Sequence, residues 1–358
     1  MKKKIALIEL TTYHEECLFS QIKFLKDANY DVSLIINPKN SNNITFYGID
    51  KNKIKLFDPR GASTLIIRII NWFSLYRYIV DNKFEKVVFN TASSNKETIA
   101  LIQFLPKSIT CFGTIHNLKK LNHSSSQKSV SKRIKNYFVL NDFLVNSAQI
   151  NNKGLSLFPY YPIYFPEYET VRTIDKNNDV WVCIPGELNY KRRDYNLVLK
   201  ALSKIEKDTN NLKIILLGKV NPANADAKSF LHELEKLSLN QMVLTFDSFI
   251  ENELFHSYIK KSDYIMAPVT TEERHYLNYK ITGAYNLAFA YKKPLICPKE
   301  VSIIPDLKEN SYFYTNSESL LMLFKSITNK TIENKDFYSH EKWNYESQLK
   351  NYMTLIEI

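Results

Sequence analysis

The chain has 358 residues, of which 44% are hydrophobic and 13% aromatic, which is enough for two globular domains with real cores. It carries 48 lysines and arginines against 37 aspartates and glutamates, and this net charge of +11 favours anionic partners such as phosphate-bearing small molecules, nucleic acid or an anionic membrane. Only seven glycines are present, which excludes collagen-like and glycine-linker compositions.

The first half of the chain alternates between strand-like and helix-like patterns. Strands are predicted at 5–10, 31–36, 53–57, 86–90, 108–115 and 143–147. Helices are predicted at 15–28, 64–80, 96–104 and 129–140. Because the strands are continuous apolar runs, they are typical of a parallel sheet covered on both faces. The alternation indicates a doubly wound α/β domain.

Targeting, membrane and redox signals are weak. The basic and apolar start is interpreted as a first strand rather than a signal peptide, because its apolar part is short and no cleavage site follows. No run approaches the roughly 20 apolar residues that span a bilayer. The four cysteines lie far apart without a CxxC pair, so we expect free thiols. These features predict a cytoplasmic protein without an essential metal or cofactor.

A proline- and tyrosine-rich break between 158 and 178 divides the chain. The domains are placed at 1–160 and 179–335, with a linker at 161–178 and a C-terminal helix at 336–358. In the second half, strands and helices alternate again at 179–186, 194–207, 213–218, 227–237, 242–246 and 252–260. The predicted fold class is α/β, with two Rossmann-like doubly wound domains facing one another across a cleft.

The stretch 261–298 predicts an anion site. A buried strand ends at Pro268, a polar loop follows, and the turn Thr282-Gly283 opens a helix before the next strand. Backbone N–H groups at such a helix start, beside the carboxyl end of a parallel sheet, bind phosphate. Lys280 precedes the turn and adds a positive charge, so a nucleotide diphosphate is expected here.

A second basic loop follows the strand that ends at Gly186. Lys191, Arg192 and Arg193 lie directly before the helix predicted from Asp194. Cations at a helix N-terminus oppose the helix dipole, so they are better explained by a bound anion; the alternative is a solvated run of charges.

In the first domain, candidate chemistry follows two predicted strands. His14, Glu15 and Glu16 lie where the first strand passes to the first helix, and His116 ends a later strand. Open α/β sheets bind ligands at this edge, and a histidine there can take a proton from a hydroxyl. The alternatives are an exposed or structural histidine and carboxylates that only complement a helix dipole.

The basic and aromatic helix predicted at 68–79 has two interpretations. It either lies at a membrane interface or packs on the core with its arginines extended to solvent. The basic stretch 124–135 is interpreted as a loop. Neither GxGxxG nor GxxxxGK[ST] nor GxSxG occurs, which removes the usual support for dinucleotide redox chemistry, P-loop phosphoryl transfer and α/β-hydrolase chemistry.

The two-domain pattern and these residues resemble the GT-B glycosyltransferases, which use nucleotide-activated sugars. The resemblance covers essentially the whole chain. The stretch 185–202 is similar to the Gly turn and basic loop that contact the donor diphosphate, with Arg193 at the family's lysine position and Glu187 where an arginine often follows the glycine. The segment 245–268 resembles the loop, helix and strand that border the base, which implies contacts from Ser248, Phe249 and Ile250.

The resemblance also implies an atypical donor motif. Many retaining members carry two glutamates where this chain has Tyr279 and Leu287. His14 falls where inverting enzymes of the glucuronosyl type carry their base, whereas His116 falls where retaining members place a histidine near the donor sugar. The two positions imply opposite stereochemistry, which stays open, with inversion preferred. Trp343 lies in a segment similar to the C-terminal helix that crosses back to the first domain.

The resulting hypothesis is a metal-independent transferase that moves a sugar from a nucleotide diphosphate to a hydroxyl. The acceptor implied is a glycan or lipid-linked glycan of bacterial capsule or lipopolysaccharide assembly, at the inner face of the membrane. One alternative is a glycerol- or ribitol-phosphate polymer transferase with a second catalytic histidine among His232, His256 and His275. Another is a non-enzymatic anion or nucleic-acid binder, although the aromatics lie mostly in apolar runs rather than between cations.

Overall fold

The computed structural model describes residues 2–59, 61, 64–147, 154–171, 174–205, 211–271 and 275–358. The chain divides into two compact units. The N-terminal unit comprises Met1–Glu167, Asn278–Lys280 and Glu341–Ile358, and the C-terminal unit comprises Tyr168–Leu277 and Ile281–His340.

The N-terminal unit is built on a seven-stranded parallel sheet. Its strands are β1 (Lys4–Glu9), β2 (Asp31–Ile36), β3 (Ile54–Leu56), β4 (Lys86–Phe89), β5 (Thr110–Ile115), β6 (Asn136–Val139) and β7 (Ser156–Pro159). The spatial order is β3-β2-β1-β4-β5-β6-β7, and every pair is parallel. The order reverses beside β1, which creates the crevice where doubly wound sheets bind ligands.

The C-terminal unit has a six-stranded parallel sheet. Its strands are β8 (Val180–Pro185), β9 (Leu212–Lys219), β10 (Val243–Phe246), β11 (Tyr264–Met266), β12 (Leu295–Pro298) and β13 (Ser311–Tyr314). The order is β10-β9-β8-β11-β12-β13, again with every pair parallel. The reversal lies beside β8, so the predicted pair of doubly wound α/β domains is confirmed.

Helices connect these strands. Those of the first half are α1 (Leu18–Asp27), α2 (Leu65–Asp81), α3 (Lys96–Phe104), α4 (Lys119–His123), α5 (Ser125–Val130) and α6 (Asp142–Ser147). Those of the second half are α7 (Tyr195–Leu202), α8 (Ala225–Lys236), α9 (Asn252–Lys261), α10 (His275–Asn278), α11 (Gly283–Tyr291), α12 (Pro305–Asn310), α13 (Ser317–Thr328) and α14 (Tyr345–Ile356).

Side-chain caps explain why predicted helices begin where they do. The side chain of Asn95 accepts the Thr98 N–H at 2.8 Å before α3, and Asp194 accepts the Leu197 N–H at 2.9 Å before α7. Each cap satisfies a backbone donor that the first helical turn leaves without a partner. The last part of the helix predicted at 194–207 lies outside the described residues.

Three predictions near the end of the first half are wrong. The segment predicted as a strand at 143–147 is helix α6, because Asn141 caps the Leu144 N–H at 3.0 Å and Asp142 complements the helix dipole. The helix predicted at 129–140 is cut short, since the stretch Asn136–Val139 inserts between β5 and β7 as strand β6. The stretch 124–135, predicted as a loop, contains α5.

The C-terminal helix α14 packs in the N-terminal unit. The Tyr352 ring stacks on Phe138 with centroids 4.5 Å apart and meets Tyr160 edge-on at 5.3 Å. The Gln348 side chain accepts the Tyr161 N–H at 3.1 Å. This helix therefore completes the core beside β6 and β7.

Candidate functional site

The carboxyl ends of β1, β4 and β5 bring a polar cluster together in the N-terminal unit. Glu9 ends β1, Asn90 and Thr91 follow β4, and His116 follows β5. These strands are neighbours in the parallel sheet, so their carboxyl ends meet at one edge. The cluster occupies the reversal beside β1, where this fold class binds ligands.

Glu9 is fully buried and organises this cluster. One carboxylate oxygen accepts the Thr11 N–H at 2.8 Å and the Thr11 hydroxyl at 2.6 Å. The other accepts the Asn90 amide at 2.8 Å and the Thr91 hydroxyl at 2.6 Å. Burial raises the pKa of Glu9 above its ordinary value, against the opposing effect of these four hydrogen bonds.

Asn90 links Glu9 to both candidate histidines. Its side-chain amide also donates to the His14 carbonyl at 2.8 Å, and its own carbonyl lies 2.7 Å from Nε2 of His116. A carbonyl only accepts, so Nε2 of His116 carries the proton and Nδ1 carries the lone pair in the neutral ring. That Nδ1 is buried and has no hydrogen-bond partner within the described residues.

His14 and His116 stack directly on one another. Their ring centroids are 3.7 Å apart and their planes differ by 7°. His14 adopts a left-handed backbone conformation with φ of 70°, which is uncommon for a residue with a side chain. Strained residues of this kind concentrate at functional sites, where the surrounding structure holds them in place.

The two histidines titrate in opposite directions. Burial lowers the pKa of His14, but the hydrogen bond and charge of Glu16, helped by Glu9 and Glu15, outweigh it, so the pKa is raised above its ordinary value. Burial lowers the pKa of His116 well below its ordinary value, and the neighbouring His14 lowers it further. Of the two rings, His14 is therefore the one that takes up a proton more readily.

The two acidic residues beside His14 are not equivalent. Glu16 is half-exposed, with its carboxylate 3.5 Å from Nδ1 of His14. Glu15 accepts a hydrogen bond at 2.8 Å from Asn43, and burial raises the pKa of Glu15. Glu16 is thus the carboxylate placed to orient His14, while Glu15 is engaged with the loop after β2.

The C-terminal unit contains a cavity of about 410 Å³ at the carboxyl ends of β8 and β9. Its lining combines apolar side chains with a few polar groups, as small-molecule sites do. Its lining residues are Gly186, Glu187, Leu188, Leu217, Gly218, Lys219, Asn221, Asn224, Ala227, Phe249, Ile250 and Phe255. The predicted donor residues Gly186, Phe249 and Ile250 therefore share one cavity, whereas Ser248 is exposed outside its lining.

Two glycines shape the floor of this cavity. Gly186 has a φ of 101°, which favours glycine. A Cβ on Gly218 would lie 2.2 Å from the Gly186 carbonyl oxygen. The ends of β8 and β9 approach this closely only because residue 218 has no side chain.

The basic loop before α7 lies beside the same turn. The Arg193 guanidinium donates to the carbonyls of Pro185 and, at 3.1 Å, Gly186, and also to the Tyr195 hydroxyl at 3.2 Å. Arg193 also forms an isolated antiparallel bridge with Val269 after β11. Its charge is thereby fixed at the Gly186 turn, while the neighbouring Arg192 is exposed.

The predicted phosphate turn is separate from the cavity lining. Thr282 is the N-cap of α11 in an extended conformation, and its hydroxyl makes no cap bond to the helix. A Cβ on Gly283 would meet no atom within 4 Å, so space lies open beside this helix start. Lys280 is half-buried and is grouped with the N-terminal unit, whereas Thr282 and Gly283 belong to the C-terminal unit.

The histidines of the C-terminal unit have other surroundings. His256 is buried, stacks on Tyr168 at 4.5 Å and lies 2.6 Å from the Tyr291 hydroxyl. Burial lowers the pKa of His256 to about 4, as expected for a core histidine. His232 is exposed on α8, and His275 begins α10. Within the described residues, no group of three or more potential ligands is arranged to hold a metal ion.

Sequence reasoning missed Glu9, Asn90, Gly218 and Phe255. A glutamate that ends a continuous apolar strand was the available signal for Glu9, because a buried carboxylate needs partners. Asn90 directly follows another apolar strand and carried a similar signal. Gly218 and Phe255 carried no local signal, since their roles arise from contacts between elements distant in sequence.

Comparison with known proteins rests on structure alone. No protein-family model matches the chain, and no curated protein matches its sequence. Among solved structures, HepE of Anabaena in complex with UDP and glucose is 11% identical with a TM-score of 0.67, over 99% of this chain and 95% of that one.

Two further solved structures are similar over nearly their whole length. The lipopolysaccharide outer core galactosyltransferase WaaB in its apo form is 13% identical with a TM-score of 0.56, over 99% of both chains. The UDP-GlcNAc 2-epimerase of Methanocaldococcus jannaschii is 11% identical with a TM-score of 0.63, over 99% of this chain and 100% of that one. The chain therefore has the GT-B fold, the two-domain α/β architecture shared with these enzymes.

Proposed function

We propose that the protein is a glycosyltransferase that moves a sugar from a nucleotide diphosphate to a hydroxyl group of an acceptor. The cavity at the ends of β8 and β9 carries this proposal. Its volume of about 410 Å³ and its mixed apolar and polar lining suit the nucleoside part of such a donor. HepE, which has the same fold, was solved with UDP and glucose.

In the proposed site, the protein itself compensates the charge of the diphosphate. The N–H groups at the start of α11, the Thr282 hydroxyl and Lys280 supply donors and positive charge, and Arg192 and Arg193 add more beside Gly186. Preorganised groups of this kind stabilise a leaving diphosphate without a metal ion. The reaction is accordingly proposed to be metal-independent.

His14 is proposed as the general base of an inverting reaction. The acceptor oxygen bonds to the anomeric carbon, the bond to the diphosphate oxygen breaks with its electron pair, and the acceptor proton passes to His14. Glu16, 3.5 Å from Nδ1, orients the ring so that Nε2 receives the proton. The stacked His116 stays neutral. A retaining reaction, with His116 near the donor sugar, is the alternative.

The proposed acceptor is a glycan or lipid-linked glycan of a bacterial surface polysaccharide. The similarity to WaaB, a lipopolysaccharide outer core galactosyltransferase, supports it. A second candidate function is epimerisation of a UDP-sugar, because the TM-score of 0.63 to a UDP-GlcNAc 2-epimerase exceeds the 0.56 to WaaB.

Donor binding is tested first with a panel of nucleotides and nucleotide sugars in thermal-shift and calorimetric titrations. We expect one nucleoside diphosphate and its sugar to raise the Tm. Lys280→Ala should weaken the affinity of that nucleotide roughly 10- to 100-fold, the cost of a lost charged hydrogen bond. If no nucleotide raises the Tm, or if Lys280→Ala leaves the affinity intact, the proposed donor site is wrong.

Turnover measurements then separate residues that bind the donor from residues that act in catalysis. His14→Ala should retain donor affinity and lose roughly 10²- to 10⁴-fold in turnover, the usual contribution of a general base. His232→Ala, on the exposed side of α8, is the matched control and should retain both. NMR of UDP-GlcNAc incubated without an acceptor decides the second candidate, since conversion at C2 under these conditions indicates epimerisation.

A further inference from the structure

The N-terminal part of α2 holds large apolar side chains in solvent. An apolar ridge of residues between 53 and 71% exposed runs along it: Leu65, Ile66, Ile69, Ile70, Phe73 and, on the adjoining α3, Phe104. Only Leu75 and Ile79 of this helix are buried among its described residues. The sequence interpretation of α2 as a core-facing helix therefore holds only for its last turns.

The helix is held from its other side, which leaves the ridge outward. At 3.6 residues per turn, the five ridge residues of α2 lie within about 140° of its circumference. On the side of α2 that lies beyond Leu65, the Arg68 guanidinium pairs with Glu97, and the Trp72 indole donates to the Glu97 carbonyl at 3.1 Å. The Trp72 ring meets Phe104 edge-on at 5.8 Å, which joins Phe104 to the ridge.

Exposure of this kind is concentrated here rather than scattered. Of fifteen large hydrophobic side chains that are exposed among the described residues, seven belong to the ridge and the adjacent Ile67. Scattered exposed hydrophobics are ordinary, but a contiguous apolar patch marks an interaction surface. Along the described ranges, no helix combines the length and apolar content needed to cross a bilayer.

The charge of the chain is concentrated in the same unit as the ridge. Residues 1–167 contain 23 lysines and arginines against 12 aspartates and glutamates, a surplus of 11. The remaining residues, 168–358, contain 25 of each and are neutral. The entire net charge of +11 therefore belongs to the segment that bears the ridge. Exposed cations lie near the ridge along the chain: Arg77 on α2, which pairs with Asp81 at 3.8 Å, Lys96 at the start of α3 and Lys107 after Phe104.

We propose that the apolar ridge is a membrane-docking surface that enters the interfacial region of an anionic bilayer. Aliphatic residues flanked by cations match the two forces that bind interfacial helices, apolar insertion and attraction to anionic lipid. A protein interface would instead be centred on tyrosine, tryptophan and arginine with hydrogen bonds. The ridge is rich in isoleucine, and residues 65–73 contain one charged side chain, which is paired to Glu97. The inference does not depend on the proposed reaction.

Vesicle flotation of the full chain tests this proposal. The wild type should float with phosphatidylcholine vesicles that contain phosphatidylglycerol, less with pure phosphatidylcholine, and less at high salt. The double variant Ile66→Gln and Ile70→Gln should lower partitioning by at least about tenfold, because two inserting side chains are lost. Glutamine is a good helix former, so α2 should stay folded, which the Tm checks.

The matched control is Ile303→Gln, because Ile303 is 59% exposed in the C-terminal unit and Ile70 is 60% exposed. This control should float as the wild type does, and both variants should keep the nucleotide affinity of the wild type. Equal flotation of the double variant and the wild type would overturn the proposal. So would a wild type that ignores vesicles but sediments as a dimer that the double variant dissociates, since the ridge would then contact a second copy.

Discussion

The backbone of His14 has a φ of 70° and is held there by neighbours that are themselves fixed. Asn90 donates to its carbonyl at 2.8 Å, and buried Glu9 positions Asn90. The strain of a left-handed residue, on the order of 1–3 kcal/mol, is tolerated because this network determines the position. The same network directs the Nε2–H of His116 to the Asn90 carbonyl. The proton of His116 is therefore held in a hydrogen bond, and His14 is the ring that exchanges a proton.

The pH dependence of turnover should report the influence of Glu16 on His14. A base acts when neutral, so a raised pKa of His14 makes activity fall as pH decreases through that pKa. Glu16→Gln removes the strongest raising influence and should move the acidic limb of kcat/KM to lower pH. Glu15→Gln is the control and should move it less, since Glu15 acts only through its charge. An unmoved limb in Glu16→Gln would remove His14 from the role of base.

Glu9 is predicted to be a positioning residue. In Glu9→Gln, an amide NH₂ replaces an oxygen that accepts two hydrogen bonds, which should cost roughly 1–3 kcal/mol in free energy of unfolding. We expect kcat to fall while KM for the nucleotide sugar stays unchanged, and the acidic limb of the rate profile to shift to lower pH, because the Glu9 charge also raises the pKa of His14.

Asp31→Asn is the matched control for Glu9→Gln, because Asp31 begins β2 and pairs with Lys53 at 2.7 Å near the surface. It should cost less than about 1 kcal/mol in urea denaturation and leave kcat unchanged. A Glu9→Gln protein with lower stability but an unchanged kcat and pH profile would limit Glu9 to a structural role.

At the scale of elements, the close contact between β8 and β9 predicts that one methyl group added at Gly218 lowers both stability and nucleotide binding. Gly218→Ala places a Cβ 2.2 Å from the Gly186 oxygen, so the strand ends must separate and the cavity must change shape. We expect a loss of roughly 1–3 kcal/mol in free energy of unfolding, from overpacking, together with weaker nucleotide binding. Chemical denaturation and calorimetry measure the two effects.

Gly283→Ala is the companion variant, because its Cβ would meet no atom within 4 Å. Folding should be unaffected or stabilised by about 0.4–1 kcal/mol. Its nucleotide affinity should nevertheless fall, since the added methyl group occupies the space proposed for the diphosphate. Equal affinity of Gly283→Ala and wild type would show that no phosphate approaches this residue.

Element prediction succeeded where periodicity and caps agreed. The helix predicted at 96–104 matches α3, and the strands predicted at 31–36 and 86–90 match β2 and β4 within one residue. It failed at 129–147, where the local sequence is compatible with either a helix or a strand. Pairing with β7 makes residues 136–139 a strand, and the Asn141 cap makes the segment after it a helix. Short apolar segments such as 143–147 suit a strand or a helix equally, and only their partners distinguish them.

At the scale of the whole molecule, the proposed donor site predicts binding without a divalent cation. The diphosphate charge is assigned to Lys280, the arginines of the basic loop and the start of α11. At a hundredfold excess over Kd, the nucleotide should stabilise the protein by about 2.7 kcal/mol, and EDTA should leave this unchanged. Thermal shifts recorded with EDTA and with Mg²⁺ measure this stabilisation. A nucleotide-induced shift that requires Mg²⁺ would contradict the proposal.

The sequence by itself determined the α/β class, the division into two parallel-sheet units and the candidate residues that follow strands, His14 and His116 among them. These depend on the periodicity of apolar residues and on the rule that open α/β sheets bind ligands beyond the carboxyl ends of their strands. Only the tertiary structure decided that the two histidines stack at 3.7 Å, that Glu9 holds them through Asn90, and that the ridge of α2 faces solvent. Contacts between residues distant in sequence produce these features, and no local pattern encodes such contacts.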